Sequence, residues 1–319
     1  MPGKVAVVQA SSKLFETNAT VDKTVSLIEE CAQNGAELAL FPEAFIGGYP
    51  KGADFGAVVG YRSPEGRELY QRYFESAVEL DGPEVERIAA AAAENNIFVV
   101  VGVIERLGRT LYCTALTISA EEGLVGKHRK LMPTGLERLT WGFGDGSTLD
   151  VVESPVGTVG TVICWENYMP MLRQAMYEKG TQIYCAPTAD ARDFWQHSMM
   201  HIAHEGRVFV LSACQYLTAD DFPDDFPMKL DVSGEDDVLR GGSVIIDPLG
   251  EVLAGPVFGR EEILYAEIDT EKLAQGYYDF DAVGHYARPD IFQLTVNEEP
   301  MDAVSSTVPT PQVPNSQPK

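Results

Sequence analysis

The stretch TVGTVICWEN, Thr158 to Asn167, changes character at its seventh residue. Its first six residues are β-branched or glycine, the make-up of a short buried strand, predicted over 159–164. Cys164 closes that run, Trp165-Glu166-Asn167 follow, and a helical pattern begins over 169–179. The alternation continues downstream, with short strands at 182–186 and 208–213 on either side of a helix at 191–205. Upstream, strands at 5–10 and 37–41 flank a helix at 19–34, whose Val21, Val25 and Ile28 sit at helical spacing and which stops at Asn34-Gly35. Helices around 63–76 and 82–95 lead into three successive strands, 97–104, 110–119 and 124–130. A hairpin over 241–256 turns at Asp247-Pro248-Leu249-Gly250, and 263–268 is a final strand. Strand–helix alternation mixed with hairpins predicts an α/β layered fold, not a purely parallel sheet.

Composition bounds the function. The 319 residues are 45% hydrophobic and 23% charged, enough for a sizeable core. With 24 Lys+Arg against 48 Asp+Glu, the net charge of −24 argues against nucleic acid and against anionic membrane surfaces. The longest apolar stretch, 97–104, is far short of a membrane span, and the N-terminal apolar run is too short for a signal peptide. Five cysteines without a C-x-x-C pair suit free thiols in a reducing compartment, so a cytoplasmic location is expected. Residues 1–297 read as one domain. The segment 217–240, with eight acids against Lys229 and Arg240, reads as a solvated loop, and 298–319 as a disordered tail.

Three residues stand out for chemistry. Cys164, at a strand end on a turn before a helix, would project into a cleft as a nucleophile, with the next backbone N–H groups placed to hold an oxyanion. A buried packing cysteine is the plainer alternative. Glu43, in Phe41-Pro42-Glu43-Ala44-Phe45, follows a strand between apolar neighbours that should raise its pKa toward that of a general base; an ordinary surface loop carboxylate is the other reading. Lys130 ends the basic run Lys127-His128-Arg129-Lys130 inside an acidic protein. It could stabilise a tetrahedral anion and lower the thiol pKa, whereas a solvated strand edge accounts for Lys127 and Arg129. Period-two alternation puts Lys130 on the face of His128.

Together, Glu43 in LALFPE, Lys130 in KHRKLMPT and Cys164 in CWEN resemble the Glu–Lys–Cys triad of the carbon–nitrogen hydrolase (nitrilase) superfamily. Cys164–Asn167 and the run 137–147, ERLTWGFGDGS, are similar to its nitrilase branch, and amidase branches usually differ after the Cys. The likeness runs from Val5 to about Asp290 and takes in Gly48-Tyr49-Pro50, 62–67 and 241–250. It implies a four-layer αββα sandwich with no metal and no organic cofactor. It also implies a small-molecule nitrile substrate, and homodimers that assemble into larger homo-oligomers or filaments. By the same resemblance Glu137 is a second carboxylate that positions Lys130 or the attacking water; pairing with Arg138 or Arg129 is its structural alternative. Trp165 and Tyr49 are expected at the substrate, and His128 beside it as a binding or hydrogen-bonding group. An amidase or carbamoylase, a cyanide-converting enzyme and a non-catalytic scaffold are the rival functions.

Two other patterns carry less. His197, His201 and His204 share a helix face, but the order is not H-E-x-x-H. Gly142, Gly144 and Gly146 match no phosphate-binding spacing.

Overall fold

The computed structural model describes residues 2–230 and 237–301. The chain opens with β1 (Pro2–Gln9), α1 (Thr17–Gln33) and β2 (Leu38–Leu40), then a small ribbon of β3 (Ala57–Val58) and β4 (Tyr61–Arg62). Helices α2 (Pro64–Ser76) and α3 (Pro83–Glu94) precede β5 (Phe98–Leu107), β6 (Thr110–Ser119) and β7 (Gly123–Arg129). After β8 (Val151–Ser154) and β9 (Gly157–Thr161) come α4 (Pro170–Glu178), β10 (Ile183–Cys185), α5 (Asp193–Gly206) and β11 (Phe209–Ser212). The described chain finishes with β12 (Tyr216–Leu217), β13 (Leu239–Ile246), β14 (Val252–Phe258), β15 (Glu262–Asp269) and α6 (Leu273–Asp279).

One sheet runs β15-β1-β2-β5-β6-β7, the other β12-β13-β11-β10-β9-β8 with β14 on β13. Each has a parallel centre, β1-β2-β5 in the first and β9-β10-β11 in the second, with antiparallel flanks. Alternation along the strands makes the layers. Val5, Val7, Leu38, Leu40 and Val100 meet Val159, Ile183, Leu211 and Ile245 of the other sheet. The opposite face of the first sheet, Ala6, Val8, Ala39 and Val99, packs on Val21 and Ile28 of α1 and Val85 and Ile88 of α3. Tyr184, Val210 and Val244 of the second sheet pack on Leu172 and Met176 of α4 and Trp195 and Met199 of α5. The result is the four-layer αββα sandwich, in which each fully buried aliphatic side chain contributes roughly 1.5–3 kcal/mol.

Two strands end before their predicted limits. β9 stops at Thr161 and β7 at Arg129, so Cys164 and Lys130 both lie just beyond a ladder. Each stays tethered: Cys164 N–H donates to Pro187 O at 2.9 Å and Lys130 N–H to Cys113 O at 2.8 Å.

The acidic segment 217–240 departs from its reading as a solvated loop. Leu217 and Leu239 are buried in paired strands, Phe226 is buried, and buried Asp221 pairs with Lys13 at 2.7 Å. Residues 231–236 of that segment lie outside the described residues. Of the expected tail 298–319, residues 298–301 lie on the domain: Glu298 pairs with Lys179 at 2.7 Å, and Met301 N–H donates to Asp145 Oδ2 at 2.9 Å. Residues 302–319 fall outside the described residues. No helix among the described residues is long and apolar enough to cross a membrane.

Candidate active site

Cys164 opens a 3-10 turn, Cys164–Tyr168, with φ of 51°. A residue bearing a Cβ rarely adopts that left-handed conformation, which costs about 1–3 kcal/mol unless its surroundings enforce it. The rest of the CWEN motif does the enforcing. Asn167 Nδ2 donates to Val162 O at 2.9 Å and Cys164 O at 2.8 Å. Glu166, wholly buried, accepts from Ile163 N–H at 2.9 Å and Leu131 N–H at 2.6 Å. Arg173 donates to Asn167 O at 2.8 Å while its other guanidinium nitrogens hold Glu205 on α5. Trp165 N–H, second in the turn, is among the donors that a helical start leaves without an intrahelical acceptor.

Glu43 stands just past β2, held by Gln215 Nε2 donating to Glu43 O at 2.8 Å. Its loop presses on β5 where only glycine fits, since a Cβ at Gly102 would come within 2.2 Å of Pro42 O and 2.8 Å of Glu43 Cα. Lys130 is braced by the WGFGDG run, with Gly144 N–H donating to Lys130 O at 2.9 Å. A Cβ at Gly144 would sit 2.2 Å from Arg129 O, so these glycines serve close backbone approach.

The two loops bring the side chains together. Lys130 Nζ donates to Glu43 Oε1 at 2.6 Å and to Glu137 Oε2 at 2.7 Å. Glu137 also accepts from Tyr49 OH at 2.7 Å and Thr134 N–H at 2.6 Å, pairing with neither Arg138 nor Arg129, which donate instead to Pro133 O and Glu105. Glu43 Oε2 is buried with no hydrogen-bond partner among the described residues, and the Cys164 thiol lies close to that carboxylate. Thr188 Oγ1 donates to Cys164 Sγ at 3.2 Å, and Cys113 Sγ lies 3.6 Å from Glu43 Oε1.

Electrostatics set the resting charges. Burial raises the Glu43 carboxyl above its ordinary value, opposed by Lys130 and reinforced by Glu137. Burial also pushes the Cys164 thiol far up, aided by the two carboxylates, with Lys130 and the Thr188 hydroxyl pulling the other way. Lys130 thus pulls the thiol value down, as read from sequence, but burial and Glu43 outweigh it. Burial works against the Lys130 cation, yet Glu43, Cys164, Cys113 and Glu137 together hold it well above its ordinary value. The site thus sets a buried thiol beside a lysine whose Nζ two carboxyl groups share.

Cys164 and Glu137 face an open cavity of about 700 Å³ whose wall includes Tyr49, Trp165, Asp190, Arg192, Val238 and Leu239. Trp165 Nε1 donates to Asp190 Oδ2 at 2.8 Å, and Arg192 stacks 4.8 Å above its ring. Both expected contact residues, Tyr49 and Trp165, thus line the cavity. His128 does not. It shares the buried face of Lys130, but its Nε2 lies 2.9 Å from Glu166 Oε2 and its Nδ1 3.2 Å from Thr148 O, so it braces the turn instead of facing substrate. Thr188, Asp190 and Gln215 were missed in sequence because they come from other strands' ends; for Thr188 and Asp190 the run Pro187-Thr188-Ala189-Asp190 directly after a short buried strand was a signal.

Comparison with known proteins places the chain in a family. The carbon-nitrogen hydrolase family profile matches residues 4–278. The chain is 58% identical to a nitrilase of Bradyrhizobium diazoefficiens, over 95% of this chain and 94% of that one. It is 56% identical to an aliphatic nitrilase of Sinorhizobium fredii, over 94% and 97% respectively. A crystal structure of a carbon-nitrogen hydrolase from Helicobacter pylori G27 shares the fold at a TM-score of 0.72 and 20% identity, covering 91% of this chain and 97% of that one.

Proposed function

The chain belongs to the carbon–nitrogen hydrolase family, and on that premise we propose that it is a nitrilase, converting an organic nitrile to the carboxylic acid and ammonia. The observation that carries the reading is the buried Lys130 shared by Glu43 and Glu137 beside Cys164 on its strained turn.

A nitrile carbon is weakly electrophilic, so a sulfur nucleophile needs both proton removal and a cation for the charge developing on nitrogen. Cys164 Sγ bonds to that carbon while Glu43 takes the thiol proton and delivers it to nitrogen, giving a thioimidate. Lys130 and the Trp165 N–H stabilise the developing anion. Glu43 then draws a proton from water as its oxygen adds to the same carbon. That proton passes to nitrogen, giving a tetrahedral C(OH)(NH2) adduct; Glu43 then moves the hydroxyl proton to nitrogen as the C–N bond breaks and the C=O forms, which releases ammonia and leaves a thioester. A second water hydrolyses the thioester and returns the thiol proton. If the C–S bond breaks before the C–N bond, the amide leaves, so a minor amide product is part of the chemistry.

Burial favours the protonated thiol, so in this reading Glu43 takes the proton during attack. Glu137 keeps Lys130 charged and in place. A working thiol suits a reducing compartment such as the cytoplasm, and assembly into homo-oligomers follows from the resemblance. The reading is tested by ammonia release across aliphatic, aromatic and arylaceto nitriles, with matching amides and cyanide alongside. Release from a nitrile but not its amide, abolished in Cys164→Ala, supports it. Release from amides or cyanide alone transfers the assignment to those enzymes.

A further inference from the structure

We propose that Thr188 is a positioning residue of this reaction: its hydroxyl fixes the Cys164 sulfur and turns the thiol proton toward the free oxygen of Glu43. The inference rests on the nitrilase reading above. Thr188 stands three residues past β10, fully buried, with its N–H on Ala213 O at 2.8 Å. Its Oγ1 receives the Asp190 N–H at 2.9 Å, which occupies one lone pair. The hydroxyl proton then has one acceptor among the described residues, Cys164 Sγ at 3.2 Å. A hydroxyl that donated elsewhere would be buried and unsatisfied, at a cost of about 1–3 kcal/mol.

A sulfur that accepts this hydrogen bond must send its own proton in another direction. The Glu43 carboxylate is the hydrogen-bonding neighbour of that thiol; its Oε1 is occupied by Lys130, which leaves the buried Oε2 without another partner among the described residues. The thiol proton therefore points along the path that it travels in the first step. As it leaves, the bond from Thr188 becomes charge-assisted, so it strengthens on the way to the transition state. The same loop holds the neighbouring ring, because Asp190 accepts from Trp165 Nε1. One segment thus orients both the nucleophile and the residue whose N–H receives the developing charge.

The test uses Thr188→Val, which keeps the shape and removes the hydroxyl, and Thr188→Ser, which keeps the hydroxyl. Two readouts are compared: steady-state nitrile hydrolysis, and the pH dependence of Cys164 alkylation by iodoacetamide without nitrile, followed by mass spectrometry. Thr188→Val is expected to lose about 10- to 100-fold in kcat with little change in KM, the loss of one hydrogen bond to a charged group. Its alkylation profile should move to higher pH, and Thr188→Ser should restore most of both. A Val variant with the wild-type alkylation profile, or Val and Ser variants that are equally slow, would overturn the proposal. The alkylation arm needs no nitrile. A shifted profile in a protein that hydrolyses no nitrile would therefore sink the nitrilase reading while upholding the role of Thr188 at the thiol.

Discussion

Lys130 Nζ lies 2.6 Å from Glu43 Oε1, and both side chains are completely enclosed by protein. Removing one partner of a buried pair leaves an uncompensated charge, which typically costs about 3–5 kcal/mol. Here a second carboxylate, Glu137, leans on the same cation.

Lys130→Met should therefore abolish turnover and lower stability by about 3–5 kcal/mol in urea denaturation. The folded Lys130 value lies above its ordinary 10.5, so its contribution is fully present below 10.5 and fades only as pH climbs through the raised value. The loss should be constant across the neutral range. An equally stable Met variant would mean that the pair contributes nothing to the fold.

Glu137→Gln removes the charge that helps hold Lys130 and keeps one acceptor oxygen of two, so either Tyr49 at Oε1 or Thr134 and Lys130 at Oε2 lose theirs. Its kcat should fall by about 10- to 100-fold, as for a lost charge-assisted hydrogen bond, without unfolding. Tyr49→Phe, which deletes only the 2.7 Å bond to Glu137, should fall less. Equal activity in wild type and Glu137→Gln would make that carboxylate dispensable.

The Cys164 thiol is pushed up by burial and by two carboxylates. At neutral pH the native enzyme should show no ultraviolet thiolate absorbance beyond that of Cys164→Ala. A thiolate band that disappears with the substitution would place the proton on another group before substrate arrives.

His128 braces Glu166, and so the turn that carries Cys164. Burial works to lower its pKa, but the Glu166 charge and its hydrogen bonds outweigh burial, and the value is raised above 6.5. Its stabilising contribution is fully present below 6.5 and is lost as pH rises through the raised value. The stability gap between wild type and His128→Asn should thus narrow with increasing pH in urea titrations. A gap that does not change with pH would show that the imidazole is never charged there.

Much of the fold was legible because its strands are either alternating or continuously β-branched and its helices are amphipathic. The Val21, Val25, Ile28 stripe, for instance, became a helix packed on the first sheet. The two-residue strands and α6 are too short to carry a period. Glu43, Lys130 and Cys164 were readable from local motifs, since each sits directly after a strand that its own sequence announces. Thr188 and Gln215 reach the site only through strand order in the second sheet, which no local pattern encodes. Of the two readings of His128 the hydrogen-bonding one fits the structure, but alternation gives the face of a residue and not its neighbour, so Glu166, from a different loop, was not foreseen. The acidic segment misled for a similar reason, as composition registers its aspartates and not the pairing of Leu217 with Leu239.

The central claim is covalent catalysis by Cys164 within the Glu43–Lys130 site, and acid-quenched intact-mass measurement during nitrile turnover tests it most directly. The expected result is a mass increase equal to the thioimidate or acyl group, mapped to the Cys164 peptide and absent from Cys164→Ala, which releases no ammonia. Sustained nitrile hydrolysis by Cys164→Ala, or an adduct on another residue, would contradict it.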